Sequence, residues 1–77
     1  MTATTAEIRT ATETRVLTVK RAATVAIIGY SPVNGRLLTN LSKDAKSARA
    51  YVNGWAATGV VGIRVLPIVD GVADATL

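Results

Sequence analysis

Residues 24–40 read TVAIIGYSPVNGRLLTN, and the fold is decided there. Val25, Ala26, Ile27 and Ile28 put apolar side chains on both faces of an extended segment, so a strand over 25–28 belongs in the middle of a sheet or at an interface. The next five residues, Ser31 to Gly35, combine a proline of fixed φ with an Asn-Gly pair that tolerates positive φ. They predict a tight turn, followed by a short strand over 36–40.

Upstream, residues 15–21 read RVLTVKR, with Leu17 and Val19 on one face and Val16, Thr18 and Lys20 on the other. That alternation suits a half-buried strand. Residues 1–13 hold five threonines and, beyond Met1, a single large apolar residue, Ile8. They read as a flexible Thr-rich arm. A helix through Ile8, Thr12, Val16, Val19 and Ala23 has the right spacing, but β-branched threonines oppose it.

Downstream, the Ser42 side chain can cap a helix that begins at Lys43, with Asp44 in its first turn. Leu41, Ala45, Ala48, Val52 and Trp55 recur at spacings of three and four, the pattern of a buried stripe, while Lys43, Lys46, Ser47, Ala50 and Asn53 fall on the other side. Trp55 and Ala56 continue the stripe, so the helix is expected to run to Thr58 with Gly59 as its cap. Residues 60–66 are rich in β-branched side chains and read as a last strand, ended by Pro67. Residues 70–77 form a tail with a turn signal at Asp70 and Gly71.

The resulting order is β-β-β-α-β in one small α+β domain over 14–69: a three-stranded antiparallel meander, one helix packed on the sheet, and a fourth, C-terminal strand. One helix cannot cover both faces of such a sheet, so a second sheet, the N-terminal arm or another subunit must cover the remainder. A two-fold homo-oligomer is the simplest cover, with Val25, Ile27, Ile63 and Val65 as its interface. The alternative is a monomer whose own tail folds over that face.

Composition narrows the chemistry. The 77 residues include no His and no Cys, which removes the usual ligands of zinc, iron-sulfur clusters and c-type haem, along with histidine bases, cysteine nucleophiles and disulfides. Nothing argues for an oxidising compartment, and the cytoplasm is the default expectation. The longest charge-free stretches, 22–35 and 50–63, have 14 residues each, against about 20 for a membrane span, so no membrane association is expected. Residues 1–11 fit a secretory signal poorly, because they lack a basic start and contain Glu7. Thirteen Ala and ten Val dominate an apolar content of 49%, so the core is expected to be thin and self-association a natural remedy.

Gly29 to Arg36 resembles a Walker loop only superficially, since the glycine spacing is wrong, Arg stands in for Lys, and Leu follows where Ser or Thr should bind magnesium. Glu7, Glu13, Asp44, Asp70 and Asp74 are scattered, and the serines have only Lys43 and Lys46 as neighbouring bases. No enzymatic activity, cofactor, metal or small-molecule substrate is therefore expected. What remains is charge: residues 1–30 carry a formal +2, residues 31–64 carry +4 and residues 65–77 carry −2, which leaves +4 overall.

Such a balance attracts duplex DNA or an acidic protein surface. The nucleic-acid reading uses Lys43, Lys46, Arg49 and Asn53 on the helix, with Lys20, Arg21 and Arg36 from the sheet. An ordinary solvated helix face is the bland alternative for the same residues. Single-strand binding by base stacking has little to work with, because there is no Phe and only Tyr30, Tyr51 and Trp55 are aromatic. The other functional class is a protein-interaction module, either an inhibitor of a larger machine or a subunit of an assembly. The Ala-, Thr- and Val-rich character would suit a small phage or mobile-element protein.

Overall fold

A computed structural model describes residues 3–76. In chain order the elements are β1 (Thr4–Arg9), β2 (Thr14–Val19), β3 (Val25–Tyr30), β4 (Leu37–Ser42), α1 (Ala45–Ala57), β5 (Val61–Pro67) and β6 (Val72–Asp74). They form two three-stranded sheets, one ordered β2-β1-β6 and the other β4-β3-β5. The class is α+β as expected, but there are six strands in two sheets where four in one sheet were expected.

The stretch at 24–40 behaves as its residues require. β3 and β4 pair antiparallel from Val25↔Ser42 to Tyr30↔Leu37, closed by the Ser31 to Gly35 turn, in which Gly35 has a φ of +69°. β3 is the central strand of its sheet, and α1 carries the chain from β4 to β5 on the other side of β3, antiparallel to it. Helix α1 packs on this sheet, mainly over β3 and β5.

The expected meander does not form, because β2 pairs with β1 and not with β3. The Thr-rich segment, expected to be a flexible arm, supplies β1, which runs antiparallel to β2 and parallel to β6. Threonine explains the difference. It opposes a helix but favours a pleated surface, and in β1 the outward hydroxyl of Thr5 meets Thr18 of β2 at 2.9 Å while Ala6 and Ile8 turn inward and are fully buried. The tail also joins in: Asp70 (φ +50°) and Gly71 (φ +78°) form a two-residue turn between Val69 and Val72, which leads into β6.

The two sheets stack face to face. Their shared core contains Ala6 and Ile8 from β1, Ala73 from β6, Ala26 and Ile28 from β3, Leu37 and Leu41 from β4, and Leu66 from β5. This second sheet covers the face of β3 for which a partner subunit was expected. Ile27 faces away from that core, is completely buried and cannot serve as an interface residue; Val25 and Ile63 are half-buried, and Val65 alone of the four keeps substantial exposure, at 39%.

Two arginines tie the sheets together at opposite edges: the Arg21 guanidinium donates to the Leu41 carbonyl at 2.9 Å, and that of Arg64 donates to the Ala75 carbonyl at 3.0 Å. Close packing under α1 depends on Gly29. A Cβ there would lie 2.6 Å from Val60 Cγ1 and 3.3 Å from Trp55 Cε3, so only glycine lets the helix C-terminus settle on the sheet. Opposite Gly29, β5 bulges at Gly62 (φ +64°), and the Tyr30 ring lies over that glycine.

Candidate nucleic-acid interface

Helix α1 starts one residue pair later than expected. Ser42 stays in the ladder opposite Val25, its carbonyl accepting from the Thr24 amide, so the cap falls to Asp44, whose extended backbone (φ −157°, ψ 175°) lets its carboxylate accept from the Ser47 amide at 2.7 Å. The Ser47 amide and hydroxyl hold the Asp44 carboxyl below its ordinary range, opposed by slight desolvation and helped by Lys43. The far end closes as the sequence suggests. Val60 N–H donates to the Trp55 carbonyl at 3.0 Å and Gly59 N–H to the Ala56 carbonyl at 3.1 Å, with Gly59 at φ +89°.

Ala48 is the buried residue of α1, and Val52 and Trp55 flank it on the sheet side. Lys46, Arg49, Ala50 and Asn53 are exposed, at spacings of three and four that place them on the opposite face. Apart from the Asp44 cap there is no carboxylate in the first turn, and the last turn has no cation. Lys46 therefore sits where the helix dipole disfavours positive charge. An anion bound at this end would meet both the dipole and the lysine with the favourable sign.

The nine cations fall into three groups. Arg9 pairs with Glu7, and Arg15 with Glu13 at 3.2 Å, both within the β1–β2 hairpin. Arg21 and Arg64 are committed to backbone carbonyls. Among the described residues no carboxylate pairs with Lys20, Arg36, Lys43, Lys46 or Arg49. The remaining acids are also occupied or distant: Asp44 caps α1, Asp74 is held below its ordinary range by the Thr76 hydroxyl and amide, and Asp70 lies in the β5–β6 turn.

Of those five cations, Lys43 and Lys46 lie together at the start of α1 and Arg49 follows one turn on. Lys20 is in the bend beside Arg21, whose guanidinium reaches the last residues of β4, so it borders the same end of the molecule. Arg36 does not. It follows the β3–β4 turn at the opposite end of a six-residue strand, roughly 20 Å away. The seven residues selected from sequence thus divide into a ridge of Lys43, Lys46, Arg49 and Asn53, a neighbouring Lys20, an Arg21 occupied in holding the sheets, and a remote Arg36.

Asp44, the cap of α1, lies between Lys43 and Lys46 in sequence and sets a carboxylate at the same corner. Among the described residues there is no cluster of three potential metal ligands, and no helix is long and apolar enough to cross a membrane. An open depression on the β5–β6 side is lined by Pro67, Val69, Val72 and Asp74. No family model, curated protein or solved structure matches the chain.

Proposed function

We propose that the protein is a non-enzymatic binding module that lays the exposed face of α1 against the phosphate backbone of duplex DNA. The observation that carries this is the sorting of its charges: the cations of the β1–β2 hairpin are paired with neighbouring glutamates, while those of α1 and its approach form no ion pair among the described residues, the carboxylate of Asp44 beside them being engaged as the helix cap. Lys43, Lys46 and Arg49 act as phosphate contacts, Lys20 extends them, and Asn53 is placed to meet a base edge. Small exposed residues between them, Ser47 and Ala50, permit close approach. A cytoplasmic, regulatory role goes with this reading.

Fluorescence anisotropy of a labelled mixed-sequence duplex, titrated at several salt concentrations, tests it. Three to four phosphate contacts per chain give a logarithmic salt slope of about −3 to −4. The double variant Lys43→Glu, Lys46→Glu should abolish binding, whereas unchanged affinity and slope would clear the helix of the role. If the wild-type chain ignores DNA, the same ridge is better read as a docking surface for an acidic protein.

A further inference from the structure

The chain has three asparagines, and two of them precede glycine: Asn34-Gly35 and Asn53-Gly54. An asparagine followed by glycine is the pair most open to ring closure between the side-chain carboxamide and the next backbone nitrogen, because glycine puts no side chain in the way. Asn40 precedes Leu41, whose side chain obstructs that approach. Both Asn-Gly pairs are exposed and no other element crowds either glycine, so composition and access to water leave the two pairs equal. Their backbones differ.

We propose that Asn34 is a site of spontaneous deamidation in the folded protein and that α1 protects Asn53. At Asn34 the Arg36 amide donates to the side-chain Oδ1 at 3.0 Å, which turns the carboxamide back over Gly35. The same N–H faces that oxygen as it gains negative charge during attack, the arrangement of an oxyanion donor. The Gly35 nitrogen is held by one bond, to the Ser31 carbonyl at 2.9 Å, and Gly35, at φ +69°, has no Cβ to hinder its rotation once that bond opens. Asn53 and Gly54 lie inside α1. Helical dihedrals hold the Gly54 nitrogen out of line with the Asn53 carboxamide carbon, and its N–H belongs to the helical ladder, so ring closure there requires a turn of helix to unwind.

The reaction needs only hydroxide and water. Hydroxide takes the Gly35 N–H proton, and the nitrogen lone pair forms a bond to Asn34 Cγ. The bond from Cγ to the carboxamide nitrogen breaks, and that nitrogen leaves as ammonia with a proton from water. Water then opens the five-membered succinimide at either carbonyl, giving aspartate or an isoaspartyl link in which the backbone runs through the side chain. Nothing is oxidised or reduced, and exchange of ammonia for water adds about 1 Da. Either product carries one new carboxylate beside Arg36, which lowers the formal charge of +4 by one. The isoaspartyl link also lengthens the backbone inside the turn that sets the Tyr30↔Leu37 register. This turn is remote from the α1 ridge, so the proposal does not rest on DNA binding.

The test is to age the full chain in warm, mildly alkaline buffer and to follow each asparagine by peptide mapping and mass spectrometry. In the folded chain Asn34 should convert at least about tenfold faster than Asn53, because a turn opens more readily than the interior of a helix. In concentrated guanidinium chloride the fold is gone, and the two rates should agree within about twofold. Conversion at 34 should accelerate with pH, and Asn34→Gln should abolish it. The isoaspartyl chain, separated by ion exchange, should melt below Asn34→Asp, which has the same charge and a normal backbone. Equal rates at 34 and 53 in the folded chain, faster conversion at 53, or no conversion at 34 while the denatured chain converts would overturn the proposal.

Discussion

The two faces of β3 are buried to similar depth by different parts of the chain. Ile27 and Gly29 lie under α1, a cover that arrives only a few residues after the β3–β4 hairpin. Ala26 and Ile28 lie against Ala6, Ile8 and Ala73, supplied by segments near the two ends of the chain. The first cover is a local matter of amphipathic spacing. The second requires β1 and β6, far apart in sequence, to pair in parallel, Glu7 opposite Val72 and Arg9 opposite Asp74. The difference teaches that an apolar strand announces a need for cover on both faces without saying who provides it.

The sharpest way to break this comparison is Ile8→Ala. Ile8 is fully buried in the sandwich core, and its truncation should cost about 2–5 kcal/mol in urea unfolding. A loss near zero would mean that the N-terminal segment is a loosely attached arm and that the inner face is covered by something else. On the helix side, Gly29→Ala places a methyl against Val60 and Trp55 and should cost about 1–3 kcal/mol. If it proved neutral, α1 would be free to lift, and the cover on that face would be the looser of the two.

Charge offers a finer contrast between the same two layers. Lys46→Ala with Arg49→Ala should reduce the salt slope of DNA binding by about 2, while Arg9→Ala with Arg15→Ala, which removes cations already paired with Glu7 and Glu13, should leave it nearly unchanged. Equal losses from the two pairs would point to non-specific attraction by net charge alone.

The smallest expected effect concerns Asp44. Its folded carboxyl titrates below the ordinary aspartate value of 3.8, so the stabilisation it provides is fully present above that value and is lost as pH falls through the folded value. Asp44→Ala should lower the melting temperature at neutral pH, and the gap from wild type should narrow as pH falls from about 3.8 through the lower folded value, beneath which both chains lack an ionised cap. A gap that stayed constant in acid would show that the carboxylate charge does not matter to the start of α1.

Much of the helix-bearing sheet was legible. Pro32, Asn34 and Gly35 announce the turn, the stripe through Ala48, Val52 and Trp55 announces α1, and Gly59 ends it, because each signal acts within a few residues along the backbone. The helix start was displaced by tertiary structure: Ser42 is a good cap by type, but the β3–β4 ladder holds it, and Asp44 takes its place. β1 was missed because its inward alternation of Ala6 and Ile8 is carried by one small and one large residue among threonines, too weak a period to read alone. The candidate site shows the same division: Lys46, Arg49 and Asn53 share a face by helical spacing with Lys43 just before the cap, but the hydrogen bond that occupies Arg21 and the remoteness of Arg36 depend on contacts distant in sequence.

The chain's own order of residues determined that β3 is a central strand, that a hairpin and one amphipathic helix follow it, and that positive charge collects on that helix. Only the tertiary structure decided that segments near the chain ends build a second sheet, that Ile27 is core and not interface, and which cations are paired with a carboxylate. The reason is physical: turns, caps and periodicity are local energies written in neighbouring residues, whereas strand partners and ion pairs are chosen among distant segments by the burial and neutralisation that the whole fold achieves.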